Sequence, residues 1–174
     1  SERNGKTSTT QMCQHLLTEY GSIYGGNIVV PLSHLDQKAP IWILETSSFT
    51  LHYTNKTKPN IYILLPISED HITWHGSFEE YKNAKLKPLS LMNENDIAII
   101  PENFKNFKTN AHVITYKNSD DLCEHFNINK SNIKFKEPFL LDAILAMAVR
   151  KIIFDEINYD LINKFVIDKH KVEE

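Results

Sequence analysis

Four short segments constrain this chain more than anything else in it. Ile41–Leu44, Ile61–Leu65, Ile97–Ile100 and His112–Thr115 are mostly unbroken apolar runs, not alternations of apolar and polar residues. A strand with one wet face alternates, whereas a strand that is apolar throughout is covered on both faces. Helical patterns fall between and around these runs, at residues 7–20, Ser77–Lys87, Glu137–Phe154 and Asn158–Phe165. A further short strand is expected at Ile28–Val30, stopped by Pro31. The fold this order predicts is α/β, with a mostly parallel sheet and flanking helices. The longest helical pattern carries Phe139, Leu140, Leu141, Ile144, Leu145, Met147 and Val149 nearly all round it, so that helix is expected inside the protein.

Composition excludes several classes. The chain has 174 residues, 41% hydrophobic and 24% charged, as ordinary globular domains do. A net charge of −3 argues against a general nucleic-acid surface. Cys13 and Cys123 stand too far apart for a metal-ligand spacing or a disulfide framework, so a cytoplasmic setting is expected. No apolar run approaches the roughly 20 residues that span a bilayer.

Three polar clusters sit where an α/β protein places its chemistry. Asn4-Gly5-Lys6-Thr7 leads into the first helical pattern. A helix N-terminus attracts anions, a lysine there adds charge against phosphates, and a threonine hydroxyl there binds Mg²⁺. The same triplet also fits a solvated turn. Glu45 ends the Ile41–Leu44 run, at the carboxyl edge where such sheets bind ligands, and is a candidate for Mg²⁺; a strand-end glutamate meeting water fits equally. His71 follows the Ile61–Leu65 run in a Ser-Glu-Asp-His turn and is either a metal ligand or a structural histidine.

The Ser77–Lys87 pattern carries one conspicuous misfit. Ser77 is placed to cap it, with Glu80 three residues on. At about 100° per residue, Phe78, Tyr81, Ala84 and Leu86 form one apolar arc, and Lys85 falls near its middle. Lys82 lies nearer the edge, from which its ammonium reaches water. A buried lone ammonium is costly, so Lys85 is expected to be paired, neutral or modified. A neutral amine adds CO₂ and loses a proton to form a carbamate, which turns a cation into a metal-binding anion.

The motifs occur in the order NGKT, GGN, ETSSF, EDH, HGSFEEYKNAK and HKVEE. This order resembles the Mur ligase family along essentially the whole chain, and most resembles the members that join D-glutamate to UDP-N-acetylmuramoyl-L-alanine. The resemblance implies a P-loop-type central domain over residues 1–166, with 167–174 opening a linker to a C-terminal domain, and an N-terminal UDP-binding domain on the other side. It implies ATP and Mg²⁺ as cofactors. Asn4, Gly5, Lys6 and Thr7 would hold the phosphates, with Lys6 on the γ-phosphate. Thr7 and Glu45 would hold one Mg²⁺, and His71 and a carbamylated Lys85 the second. Asn27 and Ser47 would face the UDP-linked substrate, while Asp142 and Lys171 would approach the nucleotide. No nucleic acid, membrane or second copy is expected as partner.

Three departures from the family pattern matter. Glu2 and Arg3 precede Asn4 where the family loop has a glycine, which sets a negative charge near the phosphates. Asp142 stands where many relatives have asparagine, and Lys171 where they have arginine. A lysine keeps the charge and loses the bidentate fork. Other functions open at this stage are another Mur ligase or a folylpolyglutamate synthase, a P-loop nucleotide kinase, and a domain that binds without catalysis.

Overall fold

The computed structural model describes residues 2–25, 41–44, 59–67 and 77–167, the side chains of 2–6, 23–25, 42 and 44 excepted. In chain order the elements are α1 (Glu2–Leu17), β1 (Ser22–Gly25), β2 (Ile41–Leu44), β3 (Ile61–Ile63), α2 (Phe78–Leu91), β4 (Ile97–Pro101), β5 (His112–Tyr116), α3 (Ser119–Phe126), α4 (Phe139–Phe154) and α5 (Tyr159–Asn163). Every described strand pair is parallel, as the unbroken apolar runs predict. The expected strand at Ile28–Val30 lies outside the described residues. The chain forms two compact units, one from residues 3–45 and 118–174, the other from residues 46–117.

In the first unit β1 pairs with β2 from Ser22 opposite Ile41 to Gly25 opposite Leu44. α1 starts earlier than its apolar pattern suggests, at Glu2, and so takes Asn4-Gly5-Lys6 into the helix itself. It ends at Leu17, followed by a 3₁₀ turn over Thr18–Tyr20, because Gly21 takes the left-handed conformation at φ 78° and its N–H closes on the Thr18 carbonyl. α4 is buried continuously from Asp142 to Arg150, as a helix with no polar face requires. The Asn158 side chain caps α5 by accepting from the Leu161 N–H at 2.9 Å; that helix stops at Asn163, short of the expected Phe165. α3 carries no sustained apolar stripe in the sequence. It forms on local chemistry: the Asn118 side chain accepts from the Asp121 N–H, Asp120 and Asp121 complement the helix dipole, and Leu122 and Phe126, four apart, are buried.

In the second unit the sheet order is β3-β4-β5, so the most apolar strand is central. Ser77 caps α2 as expected, its Oγ accepting from the Glu80 N–H at 3.0 Å. α2 continues past Lys87, through Pro88, to Leu91. Proline removes one helix N–H, yet Leu86, Leu89 and Met92 pack with Tyr62, Leu64, Ala98 and Ile100, and this burial outweighs the lost bond. Two tyrosines add buried hydrogen bonds, one within the sheet and one from sheet to helix. Tyr116 Oη donates to the Leu64 carbonyl and Tyr62 Oη to the Lys85 carbonyl, each at 2.7 Å.

Candidate functional site

The first unit carries the Asn4–Thr7 segment in the opening turns of α1. Beyond Thr7, which is half-buried, Ser8, Thr9 and Thr10 turn inward. Thr9 Oγ1 donates to Asp142 Oδ1 at 3.1 Å, joining α1 to the first turn of α4. Asp142 is only 3% exposed. Burial pushes its carboxyl up to about 7, opposed by the Thr9 hydrogen bond and aided by the nearby Glu137. Cys13 lies one turn beyond Thr9. Its thiol is pushed up to about 12, first by burial and then by the Asp142 charge.

The far end of α1 is tied to α4 as well. Arg150 Nη1 donates to the Leu16 carbonyl at 2.6 Å and pairs with Glu19 at 2.6 Å, while Nη2 pairs with Glu156 at 2.8 Å. Tyr20 donates to the same Glu156 carboxylate at 2.6 Å and stacks on Phe154 with ring centroids 3.7 Å apart.

The second unit carries Lys85, which is 3% exposed, as its place on the helical wheel requires. Its ammonium lies 5.9 Å from the centroid of the Tyr81 ring, a cation–π contact within the helix. Lys82, three residues earlier, reaches water and pairs with Glu79 at 3.0 Å. Among the described residues no group of three or more His, Cys, Asp and Glu side chains converges as metal ligands do. Glu45 and His71, the partners expected for Thr7 and Lys85, lie outside the described residues, as do Asn27, Ser47 and Lys171. The side chains of Asn4 and Lys6 are likewise not described. The donor set nonetheless suits phosphate and Mg²⁺. The Thr7 hydroxyl and a lysine at position 6 are the residue types such ligands take, while the free N–H groups of α1, which begins at Glu2, are those that precede Lys6.

A shallow cavity of about 500 Å³ opens at the carboxyl ends of β3, β4 and β5. Pro66, Pro101, Glu102, Tyr116 and Lys117 line it, and none of these was singled out in the sequence. The signal that could have found it was the proline that ends each of the Ile61–Leu65 and Ile97–Ile100 runs. In this cavity Tyr116 Oη donates to a backbone carbonyl and Lys117 pairs with Glu102 at 3.5 Å.

With this geometry in view, comparison with known proteins is decisive. A family model described as the Mur ligase middle domain matches residues 3–141. The chain belongs to that family. It is similar to the UDP-N-acetylmuramoylalanine–D-glutamate ligase of Campylobacter jejuni strain 81-176, 55% identical over 174 residues, a match that covers all of this chain and 43% of that protein. The enzyme of the same name from Helicobacter pylori strain 26695 is 42% identical over 189 residues, covering all of this chain and 45% of that protein. The one from Thermotoga petrophila is 37% identical over 108 residues, covering 60% of this chain and 25% of that protein. The chain thus spans between two fifths and one half of the length of the first two relatives. No helix among the described residues is long and apolar enough to cross a membrane.

Proposed function

We propose that this chain is the ATP-binding centre of a cytoplasmic, monomeric ligase that joins D-glutamate to UDP-N-acetylmuramoyl-L-alanine in cell-wall precursor synthesis. The observation that carries the reading is the match of all 174 residues, at 55% identity, to a ligase of that name. Residues 1–166 form the domain, and 167–174 lead into a linker. The Asn4-Gly5 backbone, Lys6 and Thr7 hold the ATP phosphates, and Lys171 adds a further positive charge. Thr7 and Glu45 hold one Mg²⁺, and His71 and Lys85, as its carbamate, hold another. Asn27 and Ser47 orient the UDP-linked substrate.

The reaction then follows from charge. The substrate carboxylate attacks the γ-phosphorus of ATP, ADP leaves, and an acyl phosphate forms. The amine of D-glutamate attacks the acyl carbon, loses a proton, and phosphate departs from the tetrahedral intermediate. Lys6 neutralises oxygen charge on the transferring phosphoryl group. Bound Mg²⁺ supplies further positive charge to the same oxygens. The near-complete burial of Lys85 supports its part in this, since a buried lysine is held by a specific partner.

The test is a graft. This chain replaces the matching segment of the Campylobacter jejuni relative, and phosphate release with UDP-N-acetylmuramoyl-L-alanine is followed for D-glutamate, L-alanine and meso-diaminopimelate. Release that depends on D-glutamate is expected, and Lys85→Ala in the graft lowers it at least a hundredfold, the usual scale for losing a group that stabilises transferring charge. Release with another amino acid only, or phosphorylation of a nucleotide without amide formation, would overturn the reading. The 174 residues alone are expected to bind Mg-ATP without forming the amide.

A further inference from the structure

We propose that Asp142 is a positioning residue for the phosphate-loop helix, acting on α1 through Thr9 and not on the nucleoside. The proposal rests on the reading above that Asn4–Thr7 hold the phosphates. Its basis is geometric. Thr9 lies two residues past Thr7, about 3 Å further along the same helix, so whatever holds Thr9 also holds the loop. The Asp142 carboxyl that holds it is 3% exposed, with Oδ1 engaged by the Thr9 hydroxyl at 3.1 Å.

The second tie makes the first one directional. Arg150 grips the Leu16 carbonyl at 2.6 Å. Thr9 to Leu16 is about 10 Å along α1, and Asp142 to Arg150 is about 12 Å along α4, at 1.5 Å of rise per residue. The two ties come in the same order on both helices, so α1 and α4 run in the same direction with matched spacing. One tie would let α1 pivot about it; two at different levels fix both its tilt and its slide. α4 is itself buried from Asp142 to Arg150 and serves as the fixed frame. The Asp142 bond is the tie nearer the phosphate end. Cys13, on α1 one turn beyond Thr9 and so on the same face, is likewise buried.

The experiment separates the phosphates from the nucleoside. Binding of Mg-ATP and of inorganic Mg-tripolyphosphate is measured by calorimetry for the wild-type chain, Asp142→Ala, Thr9→Val, the double variant and Asp142→Asn. Each single variant is expected to weaken both ligands by the same factor, about tenfold, the scale of one lost buried hydrogen bond. The double variant is expected to be no weaker than either single one. Asp142→Asn keeps an oxygen that accepts from Thr9 and is expected to restore both affinities. A loss confined to ATP, with tripolyphosphate unchanged, would show direct nucleoside contact and overturn the proposal. So would unchanged binding of both ligands in Asp142→Ala. A wild-type chain that binds neither ligand would overturn the ATP-centre reading, and this proposal with it.

Discussion

Asp142 and Lys85 are buried to the same extent, 3% exposed each, yet they meet the cost of burial by different routes. Asp142 lies in the first turn of a helix surrounded by protein, accepts a hydrogen bond from another helix, and sheds its charge by holding a proton up to about pH 7. Lys85 lies on a helix with one wet face, its ammonium 5.9 Å from the centroid of the Tyr81 ring one turn earlier on the same helix. Burial alone is therefore not a functional signature. What distinguishes the two is the direction in which each side chain works. The acid organises its own unit by bridging two helices. The base, in the function proposed above, serves a bound metal ion.

The comparison is tested most severely at the other end of the helix pair. If the α1–α4 frame is rigid because of its two ties, Arg150→Ala is expected to destabilise the chain by about 3 kcal/mol in chemical denaturation. The value sits at the low end for a broken buried pair because Glu19 and Glu156 are half exposed and rehydrate. A change below about 1 kcal/mol, the scale of an exposed pair, would mean that the frame stands without that tie.

The next test concerns the proton on Asp142. Its folded carboxyl titrates near 7, and the unfolded one near 3.8. Between these values the folded state binds more protons at this site, so the contribution of this carboxyl to stability is full below about pH 4 and falls as pH rises toward 7. The rise from 3.8 to about 7 corresponds to up to about 4 kcal/mol. The melting temperature of Asp142→Asn is expected to lose this slope and to exceed that of the wild type at pH 8. Parallel pH profiles for the two proteins would show that the carboxyl is ionised in the folded state across the range.

The smallest effect belongs to the lysine beside Lys85. Lys82 pairs with the exposed Glu79 at 3.0 Å, and Lys82→Ala is expected to cost less than about 0.5 kcal/mol in the same denaturation assay, as exposed pairs do. A larger cost would mean that position 82 belongs to the buried face, and the contrast drawn between the two lysines would fail.

How much of this was legible in the sequence depended on whether the information was local. Lys85 could be placed because one helix fixes its own periodicity: Tyr81, Ala84 and Leu86 define a face, and the lysine interrupts it. The Ser77 cap was equally local. The Thr9–Asp142 bond was not legible, because its partners are 133 residues apart and an all-apolar helix has no face from which to infer a neighbour. Resemblance to relatives suggested a nucleotide contact for Asp142, and nothing in its immediate sequence pointed to α1. α2 was expected to stop before Pro88, since local rules disfavour proline inside a helix, and three-dimensional packing of Leu89 and Met92 overrode them. β1 escaped notice because Ser22–Gly25 is too short, between glycines, to show any period. Of the expected site, Thr7, Lys85 and Asp142 have described side chains, while Glu45, His71, Asn27, Ser47 and Lys171 fall outside the described residues.

The burial of Cys13 has a practical consequence. A thiol pushed up to about 12 holds almost no thiolate at neutral pH, so alkylating reagents find it inert while the helix pair is closed. Cys123, on α3, is only half-buried and is the thiol such reagents reach first. Once Cys123 is replaced or capped, slow labelling at Cys13 becomes a stopwatch for the separation of α1 from α4. α1 carries a built-in recorder of how often its seat comes apart.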